Sequence, residues 1–266
     1  MILNFLVKKL LLILLFLSLK SLIYADTGML FLEGIKDVVR LDYSDGSTYE
    51  GQVEKCLIGG KEITCFRGVG VYTFKTGYRY EGEFEDNKPD GQGVFTSPDG
   101  QRYQGGFRDG KLNGIGVMSY PDGRHYEGEY KNNKRDGYGI MTYQDGGMFE
   151  ESSRYEGEWK NDKPDGQGVF TSPDGQRYQG GFRDGKLNGI GVMSYPDGRH
   201  YEGEYKNNKR DGYGIMTYQD GSLYQEGSHY EGEWKNDKRD GQGFMTYLDD
   251  GRRLEGEFKE DAFIGN

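Results

Sequence analysis

Cysteine, histidine, proline and tryptophan are scarce in this 266-residue sequence, with two, three, six and two copies. Two cysteines cannot staple a disulfide-dense miniature fold, and without nearby histidine they fall short of a four-ligand zinc site. Apolar residues make up only 34% and the mean hydropathy is −0.87, which points away from one compact globule and from a multi-pass membrane protein. Basic runs never exceed two residues (Lys8-Lys9, Lys134-Arg135, Lys209-Arg210, Lys238-Arg239, Arg252-Arg253), and the net charge is −10. Such a chain is repelled by nucleic acid, so a nucleic-acid partner is not expected. What abounds is glycine, with 45 residues, and tyrosine, with 22. Disordered chains are poor in aromatics, so this composition points to many short strands joined by tight turns.

One long apolar run occurs, Leu10 to Leu19. Lys8 and Lys9 precede it, and Lys20 then Ser21-Leu22-Ile23-Tyr24-Ala25 follow. Positive region, apolar core and small residue are the order of a secretory signal, with cleavage expected after Ala25. The lysines interrupt the roughly 20 apolar residues that a spanning helix needs. The expected location is therefore secreted, periplasmic or at the cell surface. The alternative is a membrane anchor through residues 2–24.

The string Tyr-x-Gly recurs at Tyr49, Tyr80, Tyr103, Tyr126, Tyr155, Tyr178, Tyr201 and Tyr230, and Leu254-Glu255-Gly256 is a degenerate ninth start. The base period is 23 residues, from Tyr80 to Tyr103 for example, and longer intervals carry insertions. Within a unit, Tyr80, Gly82 and Phe84 alternate with Glu81, Glu83 and Glu85. Gly91, Gly93 and Phe95 alternate with Gln92, Val94 and Thr96. Period two means strands. Asn87-Lys88 is expected at the hairpin turn, and Asp99-Gly100 at the turn between units. A ring lying over a strand glycine builds a thin core from few aliphatic residues.

The segment Tyr-Glu-Gly-Glu-Trp-Lys-Asn-Asp-Lys-Arg-Asp-Gly-Gln-Gly, residues 230–243, resembles the MORN repeat (membrane occupation and recognition nexus). The likeness covers about residues 49–258 in eight units and a ninth fragment. It implies an all-β fold, an elongated twisted antiparallel sheet of stacked β-hairpins. Family arrays accompany kinase or methyltransferase domains in some proteins and act as scaffolds in others. Lipid binding, dimerisation and protein scaffolding have all been attributed to them. The expected organisation is a signal peptide over 1–25, an amino-terminal cap and half-repeat over 26–48, and the repeat array over 49–266. Leu41-Asp-Tyr-Ser-Asp-Gly46 reads as the second strand and turn of a half-unit.

A longer period is superimposed: residues 88–146 and 163–221 are identical. A unique active site is hard to reconcile with that; an array presenting one surface twice is easy. Two insertions fall at the same point of their units, 147–154 and 222–229. Each carries an apolar pair, Met148-Phe149 and Leu223-Tyr224, the candidate contact residues. Cys56 and Cys65 flank an eight-residue insertion in the first full unit. In an exported protein a disulfide there would tie the base of the longer loop.

His125, His200 and His229 each directly precede a Tyr-x-Gly start and read as strand residues rather than general bases. No calcium-loop, phosphate-loop or serine-nucleophile motif occurs, and Gly-x-Gly here lacks a following helix. The expected function is a non-enzymatic scaffold for protein–protein interaction, exported or membrane-attached, with no cofactor and no metal. The partner expected is a protein, a second copy of this chain being one candidate. Phospholipid or membrane-surface binding is the alternative.

Overall fold

The computed structural model describes residues 37–143, 153–218, 228–248 and 251–265. Their regular elements are strands throughout, and the chain divides into two units, Met1–Met141 and Thr142–Asn266.

The first unit holds β1 (Val38–Asp42), β2 (Thr48–Ile58), β3 (Lys61–Thr73), β4 (Arg79–Glu85) and β5 (Lys88–Thr96). It continues through β6 (Arg102–Arg108), β7 (Lys111–Ser119), β8 (His125–Lys131) and β9 (Lys134–Tyr143), whose end meets the boundary. The second unit holds β10 (Ser153–Lys160), β11 (Lys163–Thr171), β12 (Arg177–Arg183), β13 (Lys186–Ser194) and β14 (His200–Lys206). Then come β15 (Lys209–Thr217), β16 (His229–Lys235), β17 (Lys238–Thr246), β18 (Arg253–Lys259) and β19 (Ala262–Gly265). Within each unit successive strands pair antiparallel, so each unit is a sheet of stacked hairpins. β1 pairs antiparallel with β2, Leu41 opposite Tyr49.

The hairpin turn is one residue earlier than Asn87-Lys88. It is Asp86-Asn87, with φ of 48° and 66°. A two-residue turn that follows the strand twist needs positive φ at both positions, which Asn and Asp tolerate better than Lys. The same reason places Asn207-Asn208 and Asn236-Asp237 at later turns. Between successive repeats the chain turns at Ser97-Pro98-Asp99-Gly100, where the Ser97 N–H donates to the Gln101 carbonyl at 2.9 Å.

One face of each sheet carries the rings. Tyr80 is buried, and its ring lies against Gly82 of its own strand and Gly93 of the next; a Cβ on Gly93 would overlap it. The neighbouring glycine has another job. Gly91 sits at φ +108° where β5 bulges, three of its residues (90–92) lying opposite Glu83 alone. The bulge frees the Glu83 carbonyl and the Gln92 N–H. The Tyr80 hydroxyl donates to that carbonyl at 2.8 Å, and the Gln92 N–H donates to the Glu83 carboxylate at 2.7 Å. The tyrosine-to-carbonyl bond recurs in all eight repeats, from Tyr49 to Gln52 at 2.6 Å through Tyr230 to Glu233 at 3.0 Å.

The rings meet edge to face. In the first unit Tyr80 contacts Phe84 and Phe107, both with centroids 4.9 Å apart, and Tyr103 contacts Phe107 and Tyr130. In the second, Tyr201 bridges Tyr205 and Trp234, and Tyr230 bridges Trp234 and Phe258. Each such pair contributes about 0.5–1.5 kcal/mol beyond its buried area.

Candidate interaction surface

Stacking is enforced at the hairpin tips by paired residue choices. The Leu187 N–H donates to the Asn208 side chain at 2.8 Å, and the Asn208 N–H donates to the Leu187 carbonyl at 3.0 Å. Leu112 and Asn133 make the same pair. Arg210 with Asp237 and Arg239 with Asp261 do so through a carboxylate. Where the partner position is Pro89 or Pro164, which has no N–H, the turn residue is Gly110 or Gly185, which has no side-chain acceptor. Arg239 is itself buried, its guanidinium over the Tyr230 and Phe258 rings at 5.6 Å.

Cys56 and Cys65 are joined across the β2–β3 ladder with Cα atoms 5.9 Å apart. The insertion between them is not a loop. It lengthens both strands, to 11 and 13 residues against 7 and 9 in β4 and β5, so the hairpin simply continues to Gly59-Gly60. Cys65 lies opposite Glu54 and is buried, and the Asn87 amide of the next turn donates to its sulfur at 3.1 Å. Met148, Phe149, Leu223 and Tyr224 lie outside the described residues.

The three histidines take up the strand positions expected of them, and His125 and His200 contact Ser119 and Ser194 across the ladder. Among the described residues, no group of three or more His, Cys, Asp or Glu is placed to hold a metal ion.

The face opposite the rings has its own pattern. Strand alternation points Glu81, Val94, Gln104 and Val117 outward in the first unit, paired side by side along the sheet. In the second unit the corresponding row is Val192, Glu202, Ile215, Glu231, Phe244 and Glu255. A parallel row holds Ile190 opposite Glu204, Tyr213 opposite Glu233 and Gln242 opposite Glu257. Ile190 is 72% exposed, Tyr213 49% and Ile215 37%. A shallow hollow of about 560 Å³ lies here, floored by Gly232, Gly243 and Gly256 and walled by Tyr213, Glu231, Phe244 and Glu255. The Tyr213 hydroxyl donates to Glu231 at 2.8 Å, and that bond raises its pKa.

Identical residues differ in exposure between the units. Tyr138, the copy of Tyr213, is only 2% exposed, so the duplicated segments form the same strands but not equally bare surfaces. The residues of this face were missed in the sequence, although a signal was present. The middle residue of each Gly-x-Gly must point away from the rings, and there it is Ile190 or Tyr213.

No curated protein matches this chain. Among solved structures it resembles the TCP domain of SAS-4 (dCPAP) of Drosophila melanogaster, determined with a proline-rich motif of Ana2, at 12% identity. The match covers 64% of this chain and 86% of that one, with a TM-score of 0.34. The TCP10 domain of Danio rerio CPAP aligns at 16% identity over 73% and 94%, with a TM-score of 0.26. Superpositions this loose carry no functional argument. The MORN repeat model matches seven segments, 80–102, 103–123, 126–148, 155–177, 178–198, 201–223 and 230–252, together more than half the chain. The Tyr49 unit lies outside those segments yet has the same tyrosine-to-carbonyl bond. Repeat spacing, hairpin geometry and model agree: this chain belongs to the MORN-repeat family.

Proposed function

We propose that this chain is a non-enzymatic scaffold that binds a protein partner, exported or attached to a membrane. The observation that carries the reading is the outer face of the second unit. Strands already tied down by the ring face hold Ile190, Tyr213 and Ile215 in water, where they add nothing to the core. Carboxylates between them disfavour an anionic lipid surface, which supports protein over phospholipid as the ligand. Met148-Phe149 and Leu223-Tyr224 are a second candidate contact.

Affinity capture of the chain from its own host, read by mass spectrometry, tests the scaffold reading, with liposome sedimentation beside it. A stoichiometric protein partner and no sedimentation is the expected result. Sedimentation with anionic vesicles and no protein partner would replace the scaffold with a lipid-binding module. Changing Met148 and Phe149 to Ser should weaken capture without lowering Tm, and an unchanged yield would remove that loop from the surface. Export rests on the order of Lys8-Lys9, Leu10–Leu19 and Ala25. It predicts an intact mass beginning at Asp26. A full-length mass in the membrane fraction would favour the anchor instead.

A further inference from the structure

We infer that the outer face of β13–β18 docks a cationic amphipathic helix of the protein partner. This deepens the scaffold reading and rests on it. Second strands contribute apolar or neutral ridges: Ile190 with Val192, Tyr213 with Ile215, and Gln242 with Phe244. First strands contribute acidic ridges: Glu202 with Glu204, Glu231 with Glu233, and Glu255 with Glu257. These two rows hold six carboxylates and no Lys or Arg, although Arg253 at their edge lays its guanidinium over the Phe244 ring at 4.3 Å. Glu255 pairs with Arg253 at 3.1 Å; among the described residues Glu202, Glu204, Glu231, Glu233 and Glu257 have no ion-pair partner. Part of that capacity is spoken for, since Glu204 accepts the Tyr213 N–H at 2.9 Å and Glu231 accepts its hydroxyl.

The sign of the charge selects the occupant. A second copy of this face would set carboxylate against carboxylate, and anionic headgroups would meet the same repulsion. A segment with Lys or Arg over the acidic ridges and apolar residues over the others satisfies both rows. Spacing selects its form. Neighbouring strands lie about 4.8 Å apart, so like ridges recur at roughly 9.6 Å. A helix crossing the strands advances about 5.4 Å per turn and 10.8 Å per two turns. Apolar and cationic residues alternating turn by turn therefore follow the ridges with a drift of about 0.6 Å per strand, about 3 Å over all six.

The probe is a fluorescent Leu/Lys helical peptide of about 18 residues, roughly 27 Å long, which spans the six strands. Leu and Lys alternate turn by turn along one side. Its binding to the full chain is read by anisotropy beside a scrambled peptide of the same composition. The alternating peptide should bind at least tenfold tighter, and the affinity should fall as salt rises. Ile190→Ser with Ile215→Ser should cost tenfold or more. Glu231→Gln with Glu233→Gln should flatten the salt dependence. Both serine sites are exposed, and an unchanged thermal melt shows that the fold persists. Equal binding of the scrambled peptide, or serine variants that bind normally, overturns the proposal. Affinity capture separates its failure from that of the scaffold reading. A partner still captured by the serine variants keeps the scaffold and discards this face, whereas no partner for the wild-type chain discards both.

Discussion

At the scale of residues, two tyrosines in one unit carry opposite predictions. Tyr201 donates its hydroxyl to the Glu204 carbonyl at 3.2 Å, whereas the Tyr205 hydroxyl is buried without a partner. Tyr201→Phe should lose about 1 kcal/mol, since the freed carbonyl stays partly buried. Tyr205→Phe should be neutral or stabilising by up to about 1 kcal/mol, because it removes an unsatisfied polar atom and Phe already stands at the matching Phe182. Urea melts of both variants decide; equal losses would mean that the hydroxyls are not what distinguishes the positions. The tip pairs make a second contrast. Asn208→Gly keeps a turn compatible with positive φ but removes the acceptor for Leu187, costing about 1 kcal/mol. Gly185→Asn gains no matching bond, since Pro164 offers no N–H. The pairing of Pro with Gly, Leu with Asn and Arg with Asp is written in the sequence. It escapes a unit-by-unit reading because the partners belong to successive hairpins.

At the scale of elements, the strand period was legible because glycine and ring alternate without interruption. The division of labour between Gly91 and Gly93 was not. A bulge is a property of two paired strands, and alternation along one strand looks the same with or without it. The cysteine insertion was misread as a loop for a related reason. Its residues Glu54 to Thr64 are mostly exposed, yet they pair in continuous register. The bridge across that extension should contribute on the order of 2–3 kcal/mol by chain entropy. Cys56→Ser with Cys65→Ser should raise amide exchange in β2 and β3 and leave β12–β17 as protected as before. Raised exchange throughout would contradict nearest-neighbour stacking.

The ring rows also set an alkaline limit. Burial raises the ladder tyrosines above their ordinary value of 10.0, Tyr230 to about 12 and Tyr49, Tyr80 and Tyr201 beyond that. A group whose folded pKa is raised contributes its full stability below the unfolded value and loses it as pH climbs through the folded one. Stability should therefore hold to about pH 10 and fall between 10 and 12. Tyrosinate absorbance should then appear together with unfolding. Ionisation of most tyrosines near pH 10 in a folded chain would show that the rows are open to water.

At the scale of the whole molecule, the sequence fixes what repeats but not what remains bare. Residues 88–146 and 163–221 are identical, and only the structure shows Tyr138 and Tyr213 in different surroundings. The 75-residue module still predicts tolerance to removal. Deleting 155–229 joins Arg154 to Tyr230 in register, and the shortened chain should fold with a urea m-value lower by roughly a quarter. Aggregation or loss of the cooperative melt would mean that stacking is not local.

Ring-face tyrosines are buried in the fold, whereas Tyr213 is exposed and is proposed to contact the partner. Nitration mapped by mass spectrometry, on the chain alone and with its captured partner, tests this division most directly. Alone, Tyr213, Tyr43 and Tyr78 should react, being 49%, 39% and 41% exposed, while Tyr103, Tyr178 and Tyr201 are spared. With the partner bound, Tyr213 should be protected while Tyr43 and Tyr78 still react. Nitration of the ladder tyrosines at the rate of Tyr213, or a partner that leaves Tyr213 fully reactive, would contradict the account.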